Sequence, residues 1–220
     1  MDFQYSKKSL GVLVHPTSLP GGSYCGTFGD GLKKWIDILA NNNISTWQFL
    51  PLSPTDCNGS PYSSPSSFAL SPWFLDLAEL EKNNFIRNTF SFRDQENNTF
   101  DFKIADKLSI IAGDLLFESW PIQPENRKNE FNNWCSRNKW VEDYSIFMAL
   151  KGEFEMKAWW SWPKEFRNKN YDAIQKWLQS NKQKTIKLKL IQWHLDRQWQ
   201  KIKAFAKCRN ITLIGDLPFY

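Results

Sequence analysis

Leu50-Pro51-Leu52-Ser53-Pro54-Thr55-Asp56-Cys57-Asn58-Gly59-Ser60-Pro61-Tyr62-Ser63-Ser64 closes an apolar, strand-like run that begins at Ile44. Three prolines and a glycine lie in the quoted stretch. Proline fixes φ and removes a backbone donor, so the segment reads as a stiff loop set at the end of a strand. Upstream, residues 10–14 form a short apolar run that ends in His15-Pro16, a candidate first strand. Between the two runs lies a helix over 31–40, with Leu32, Trp35, Ile36 and Leu39 on one face at i, i+3, i+4, i+7 spacing. Asn41-Asn42-Asn43 ends it. Strand, helix, strand within this span is a βαβ unit, and a near-continuously apolar second strand is what a parallel strand buried on both faces requires. The fold class is therefore α/β.

Downstream the pattern changes. Residues 53–75 read as loop and 81–101 as polar and irregular. Helices are expected over 104–120, 130–137 and 141–151, with an aromatic turn at Trp159 to Pro163. A long amphipathic helix over 182–207 places Leu188, Ile191, Leu195, Trp199, Ile202 and Phe205 on one face. Asn210 stops it, and Ile211-Thr212-Leu213-Ile214 reads as a third buried strand with Gly215-Asp216 at its C-terminal end. The expected division is 1–75 for the βαβ unit and its loop, 76–180 for a mainly helical insertion, and 181–220 for the return helix and third strand.

Composition narrows the classes. The chain has 220 residues, 41% hydrophobic and 23% charged, which is globular rather than disordered. Aromatics reach 16%, with 12 Trp, 17 Phe and 6 Tyr, enough for an aromatic core and, on loops, for stacking against sugar faces. Net charge is +5, with the basic residues scattered; the lysines from Lys182 to Lys207 read as a solvated helix face, and a nucleic-acid-binding reading rests on charge alone. Cys25, Cys57, Cys135 and Cys208 form no CxxC pair, so neither a zinc site nor a disulfide framework is signalled. No run of 18 apolar residues and no N-terminal apolar leader occurs, and a reducing, cytoplasmic setting fits best. Gly26-Thr27-Phe28-Gly29-Asp30-Gly31 lacks the Lys-Ser/Thr pair of a phosphate loop.

Five blocks in order carry a resemblance: Val14-His15-Pro16-Thr17-Ser18-Leu19-Pro20; Trp47-Gln48 running into Leu50-Pro51-Leu52 and Ser60-Pro61-Tyr62; Glu142-Asp143-Tyr144 with Phe147-Met148-Ala149-Leu150-Lys151; Arg197-Gln198-Trp199; and Ile214-Gly215-Asp216-Leu217-Pro218. Together they resemble the 4-α-glucanotransferases (amylomaltases or disproportionating enzymes) of glycoside hydrolase family 77. The resemblance covers nearly the whole chain. It implies the N-terminal part of a (β/α)₈ TIM barrel with a large helical insertion between strands two and three. Such a barrel needs eight strands, so the chain reads as part of a larger enzyme. The implied reaction moves a segment of an α-1,4-glucan to a new 4-hydroxyl with retention, through a covalent glycosyl-enzyme. That chemistry needs two carboxylates about 5–5.5 Å apart. In the family the nucleophile, the acid/base and a third carboxylate lie on later strands, so no catalytic residue is assigned here and the 220-residue piece alone is expected to be inactive.

Four positions are expected to bind substrate. Asp216 matches the family Asp at the end of strand three, where a barrel carboxylate faces the catalytic mouth; the other reading is a turn-capping Asp before Leu217-Pro218. Tyr62 matches the tyrosine of the Ser-Pro-Tyr loop and offers a ring for stacking, or else packs on its own domain. Ser60 opens that motif. His15 ends strand one, and a structural histidine is its other reading. No metal and no organic cofactor is implied. The expected partners are maltooligosaccharides and α-1,4-glucans, with no nucleic acid and no membrane. A non-catalytic glucan-binding fragment is the alternative. His194 reads as a packing residue of its helix, and Asp196-Arg197 as an ion pair. Cys57 and Phe102 stand where many family members carry tyrosines of a secondary glucan groove, so that groove is not carried over. Ser71-Pro72-Trp73 departs from the usual Asn-Pro without explanation.

Overall fold

The computed structural model describes residues 9–21, 25–56, 58–87 and 102–218. Three short parallel strands are present, β1 (Gly11–Leu13), β2 (Thr46–Gln48) and β3 (Thr212–Ile214), in the order β1-β2-β3. Gly11 registers with Thr46 and Leu13 with Gln48, while Thr46 registers with Thr212 and Gln48 with Ile214. The ladder extends past the strand ends, Val14 N donating to Gln48 O at 3.0 Å and Phe49 N to Ile214 O at 3.1 Å. A parallel β-α-β start with a long excursion before β3 is the α/β pattern expected.

Helix α1 (Asp30–Asn41) crosses from β1 to β2 and buries Leu32, Ile36 and Leu39 completely. Asn43 then takes a left-handed φ of 57°, which an Asn tolerates better than most residues and which turns the chain into β2. Asn210 repeats the device at φ 58° before β3.

The run from Ile44 to Leu52 yields three residues of strand. Trp47 on one face is fully buried, while Gly11, Leu13, Gln48, Thr212 and Ile214 are exposed in this three-stranded sheet.

The chain divides into two compact units, residues 1–110 with 194–220, and residues 111–193. In the first, α2 (Leu77–Lys82) opens the segment expected to be mainly helical and overlaps the stretch expected to be irregular only at Glu81 and Lys82. Its signal is a capping pair: Asp76 Oδ1 accepts from Glu79 N at 2.7 Å. Gln198 locks this corner. Its Oε1 accepts from Asp76 N at 2.9 Å, and its Nε2 donates to Asp76 O at 2.9 Å and Glu79 Oε2 at 3.1 Å. Thr27 Oγ1 donates to Asp76 Oδ2 at 2.8 Å. A Cβ on Gly29 would stand 1.7 Å from that same oxygen, so the glycine there serves close packing.

Rings link the elements of this unit in sequence. Trp35 meets Trp47, Trp47 meets Phe49, and Phe49 meets Trp199, with centroids 6.5, 5.2 and 5.6 Å apart. Trp199 meets Phe28 at 4.9 Å, Phe28 stacks on Phe74 at 5.0 Å, and Phe74 reaches His15 at 5.6 Å. His194 is buried as a packing residue, edge-on to Phe85 at 4.5 Å with Arg197 donating to its Nδ1. Asp196 Oδ1 accepts from Gln200 Nε2 at 2.9 Å.

The second unit is helical. It holds the later part of α3 (Phe102–Ser119), then α4 (Glu125–Arg137), α5 (Trp140–Glu153), α6 (Lys164–Arg167) and the first part of α7 (Tyr171–Cys208). Helix α7 starts eleven residues before the expected Lys182, with Asn170 Oδ1 accepting from Ala173 N at 2.9 Å as its N-terminal cap. Trp120, Phe131 and Trp193 close an edge-to-face triad with centroids 5.0, 6.0 and 5.5 Å apart. Trp162 is buried against Phe147 and Phe154. The turn before it, Trp159–Ser161, leaves Trp159 and Trp160 largely exposed. Lysines of α7 meet carboxylates: Lys187 with Asp114 at 2.5 Å, Lys184 with Glu153 and Lys189 with Glu142.

Candidate functional site

The quoted loop is held at both ends and within. At its base Ser71 N donates to Leu52 O at 2.8 Å. Inside, Asp56 gathers the turn: its Oδ1 accepts from Asn58 N at 2.9 Å and from Ser60 N at 2.8 Å, while its backbone N donates to Ser60 O at 3.1 Å. This is the Asx geometry by which an aspartate replaces a backbone partner. Gly59 takes φ of +80°, a conformation that strains any residue with a Cβ. Ser64 and Ser66 hold the next turn, Ser66 Oγ accepting from Phe68 N and Ala69 N.

So constrained, the loop brings Tyr62 to the end of β3. Tyr62 Oη donates to Asp216 Oδ2 at 2.7 Å, across 154 residues of sequence. The other carboxylate oxygen accepts from Leu217 N at 2.8 Å. The contact with Leu217 N is the turn-capping geometry, and the contact with Tyr62 ties the carboxylate to the loop after β2. Both residues are half-buried. Each carboxylate oxygen has two acceptor positions and a phenol oxygen accepts as well as donates, so the pair keeps acceptors for further hydroxyl groups. The exposed side of the sheet, with Leu13 and Ile214, lies along the strands that lead to these loops.

Of the four expected binding residues, the structure joins Tyr62 and Asp216 directly. Ser60 lies two residues before Tyr62, its backbone fixed by Asp56 and so shaping the loop. His15 is elsewhere: it lines a cleft of about 210 Å³ with Ser53, Thr55, Trp73 and Phe74, while neither Tyr62 nor Asp216 lines that cleft. Its Nδ1 is buried and meets no hydrogen-bonding group among the described residues. Burial pushes the His15 imidazole down to about 4, so the ring is neutral at pH 7. A ring this weakly basic, with no Asp or Glu among the described residues lining its cleft to orient it, is poorly matched to a general base at pH 7. Asp56, Trp73 and Phe74 were not singled out from sequence; the signal for Asp56 was its place four residues before Ser60, across a glycine, in the turn composition of the loop. Cys57 and Phe100-Asp101 lie outside the described residues, and Phe102 opens α3, partly exposed.

Among the described residues no group of three or more His, Cys, Asp or Glu side chains could hold a metal ion. Cys25, Cys135 and Cys208 are free thiols, Cys25 buried and pushed up to about 12 by that burial. No described helix is long and apolar enough to cross a membrane.

The family model for 4-alpha-glucanotransferase, glycoside hydrolase family 77, matches residues 14–220. A 4-alpha-glucanotransferase of Synechocystis is 34% identical over 222 residues, covering 97% of this chain and 43% of the relative. One from Clostridium butyricum is 32% identical, covering 94% of this chain and 43% of the relative. The solved amylomaltase of Streptococcus agalactiae in complex with acarbose superposes with a TM-score of 0.90 at 29% identity, covering 97% of this chain and 44% of that one. The chain thus spans well under half the length of the proteins it matches.

Proposed function

The chain belongs to the 4-alpha-glucanotransferase family, glycoside hydrolase family 77, and from that membership we propose that it supplies part of the sugar-binding wall of an enzyme that transfers α-1,4-glucan segments to a new 4-hydroxyl. The fold is the N-terminal part of a (β/α)₈ barrel, and loops at the C-terminal ends of barrel strands are where such enzymes place their chemistry. The observation that carries the reading is the Tyr62–Asp216 hydrogen bond, 2.7 Å long, which joins the loop after β2 to the end of β3.

In this proposal Asp216 accepts hydroxyls of a glucose unit and Tyr62 lends its ring face and its phenol oxygen, while Ser60 shapes the same loop. The match to a relative solved with acarbose supports oligosaccharide ligands of the α-glucan class. No nucleophile and no general acid is assigned among the described residues. The division into 1–75, 76–180 and 181–220 is kept as a proposed division of roles, with the middle segment as scaffold. A cytoplasmic location is proposed with it.

The test uses the complete protein and maltotriose. A ladder of longer maltooligosaccharides with release of glucose is expected. Tyr62→Phe removes a hydrogen bond to a charged group, worth about 1.5–3 kcal/mol, so kcat/KM for transfer should fall roughly ten- to a hundred-fold with the fold intact. Glucose and maltose as the sole products, with no ladder, would mean hydrolysis and would sink the transferase reading. Maltoheptaose binding without any turnover would favour the non-catalytic reading instead.

A further inference from the structure

Between β2 and Tyr62 the chain must turn back on itself and present a phenol to the end of β3. One carboxylate shapes that turn. Asp56 Oδ1 accepts from Asn58 N at 2.9 Å and from Ser60 N at 2.8 Å. The Asp56 backbone closes the same turn, its N donating to Ser60 O at 3.1 Å and its O accepting from Gly59 N at 3.1 Å. Two residues after Ser60, the Tyr62 hydroxyl donates to Asp216. We propose that Asp56 is a positioning residue for the Tyr62–Asp216 contact: by holding both backbone polar groups of Ser60, it sets the direction in which the tyrosine leaves the loop.

Few joints separate the carboxylate from the phenol. Ser60 N–H and C=O both go to Asp56. Pro61 fixes its own φ near about −65° and restricts the residue before it, Ser60, to extended backbone. What remains is the ψ of Pro61 and the torsions of Tyr62 itself. The phenol oxygen sits at the far end of its ring, so a small rotation at Ser60 becomes a large displacement there. An O–H···O bond works only over about 2.5–3.0 Å, and a misplacement of about 1 Å can cost up to a hundred-fold in rate.

The chemistry of the turn suits an aspartate. A carboxylate oxygen takes two N–H groups at once, and an ionised acceptor holds backbone N–H groups more tightly than a neutral one. Gly59 completes the arrangement at φ +80°, where an added Cβ would meet nothing within 4 Å. The glycine is there for its backbone conformation and not for space. The hold on Tyr62 rests on this loop geometry alone; its consequence for catalysis rests on the proposed glucan-transfer function.

The experiment follows the Tyr62 phenol in the complete protein carrying ¹³Cζ-labelled tyrosine, its signal assigned by loss in Tyr62→Phe. Asp56→Ala is expected to move that signal to where Asp216→Ala puts it, since both lose the same hydrogen bond. Asp56→Asn keeps an acceptor oxygen in place and should leave the signal near its original position. In maltotriose transfer, Asp56→Ala should lower kcat/KM about ten-fold and Asp56→Asn less than about three-fold. In a Tyr62→Ala background the same Asp56→Ala change should cost under about two-fold, because the side chain it positions is gone. A residue that only stabilised the fold would leave the Tyr62 signal of the folded protein unmoved, and one that met the sugar itself would cost the same in both backgrounds; either result overturns the proposal. If Asp56→Ala does not fold, Gly59→Val opens the same turn through its φ, and an unmoved Tyr62 signal there overturns it equally. A maltotriose ladder with that signal unmoved removes the role of Asp56 alone. A moved signal with no ladder from the unsubstituted protein removes the transferase reading alone.

Discussion

Both units of this protein are rich in aromatic rings, and they use them differently. In the helical unit the rings face one another: Trp120, Phe131 and Trp193 close a triad, and Trp162 fills the space between Phe147 and Phe154. In the strand-bearing unit the rings run in an open series from Trp35 through Trp47, Phe49, Trp199, Phe28 and Phe74. That series ends on His15, at a polar cleft. Ion pairs occur in both units, Lys187 with Asp114 in one and Lys33 with Asp30 and Arg209 with Asp37 in the other. Asp216 stands apart from these carboxylates, answered by a phenol and a backbone amide rather than by a cation. In the proposed reading the helical unit is scaffold and the strand-bearing unit holds the sugar.

The sharpest way to break this contrast is Trp193→Ala. The residue is 2% exposed and central to the triad, and truncating a buried Trp costs about 3–5 kcal/mol. Urea unfolding of the complete protein should show that loss, and transfer per folded molecule should hardly change. A fall in kcat/KM for the remaining folded protein would contradict a purely structural role for the helical unit.

A pH series tests the other end of the ring series. His15 is held neutral by burial, its value lowered from 6.5 to about 4. The unfolded chain therefore binds a proton that the folded chain refuses between pH 6.5 and 4. Stability must fall as pH is lowered through that window, by no more than about 1.4 kcal/mol per pH unit for one proton. Above 6.5 the residue contributes no slope. His15→Gln should flatten the acid limb of the stability curve, and an unchanged limb would show that the imidazole is solvated.

The smallest effect belongs to the surface of the helical unit. Lys187 and Asp114 are 29% and 45% exposed at the side chain, so Lys187→Ala should cost about 0.2–1 kcal/mol, and less in high salt. A loss above that range would show that the pair is part of a buried network.

Much of this was legible in the chain. The spacing of Leu32, Ile36 and Leu39 fixed α1, and the prolines and glycine of residues 51–61 marked the loop before any contact was known. Tyr62 and Asp216 were named separately, but their bond was not readable, since nothing local relates residues 154 apart. The start of α7 was missed because lysines drew the boundary to Lys182, although Ile174, Trp177 and Leu178 already share helical spacing. Helix α2 was missed for want of length: six residues give no periodicity, and only the Asp76–Glu79 cap betrays it. The His15 cleft could not be foreseen, because its walls come from three stretches of chain, 15–18, 50–61 and 71–74, and their meeting is a tertiary event.

The separation of 154 residues between Tyr62 and Asp216 has an evolutionary side. Closing a chain loop costs only about 0.6 kcal/mol more for each doubling of its length. A segment that folds on rings and ion pairs of its own adds little even to that. The number of residues between Tyr62 and Asp216 is therefore nearly free to drift. Lineages could lengthen, trim or redecorate the helical insertion while the phenol and the carboxylate kept their appointment.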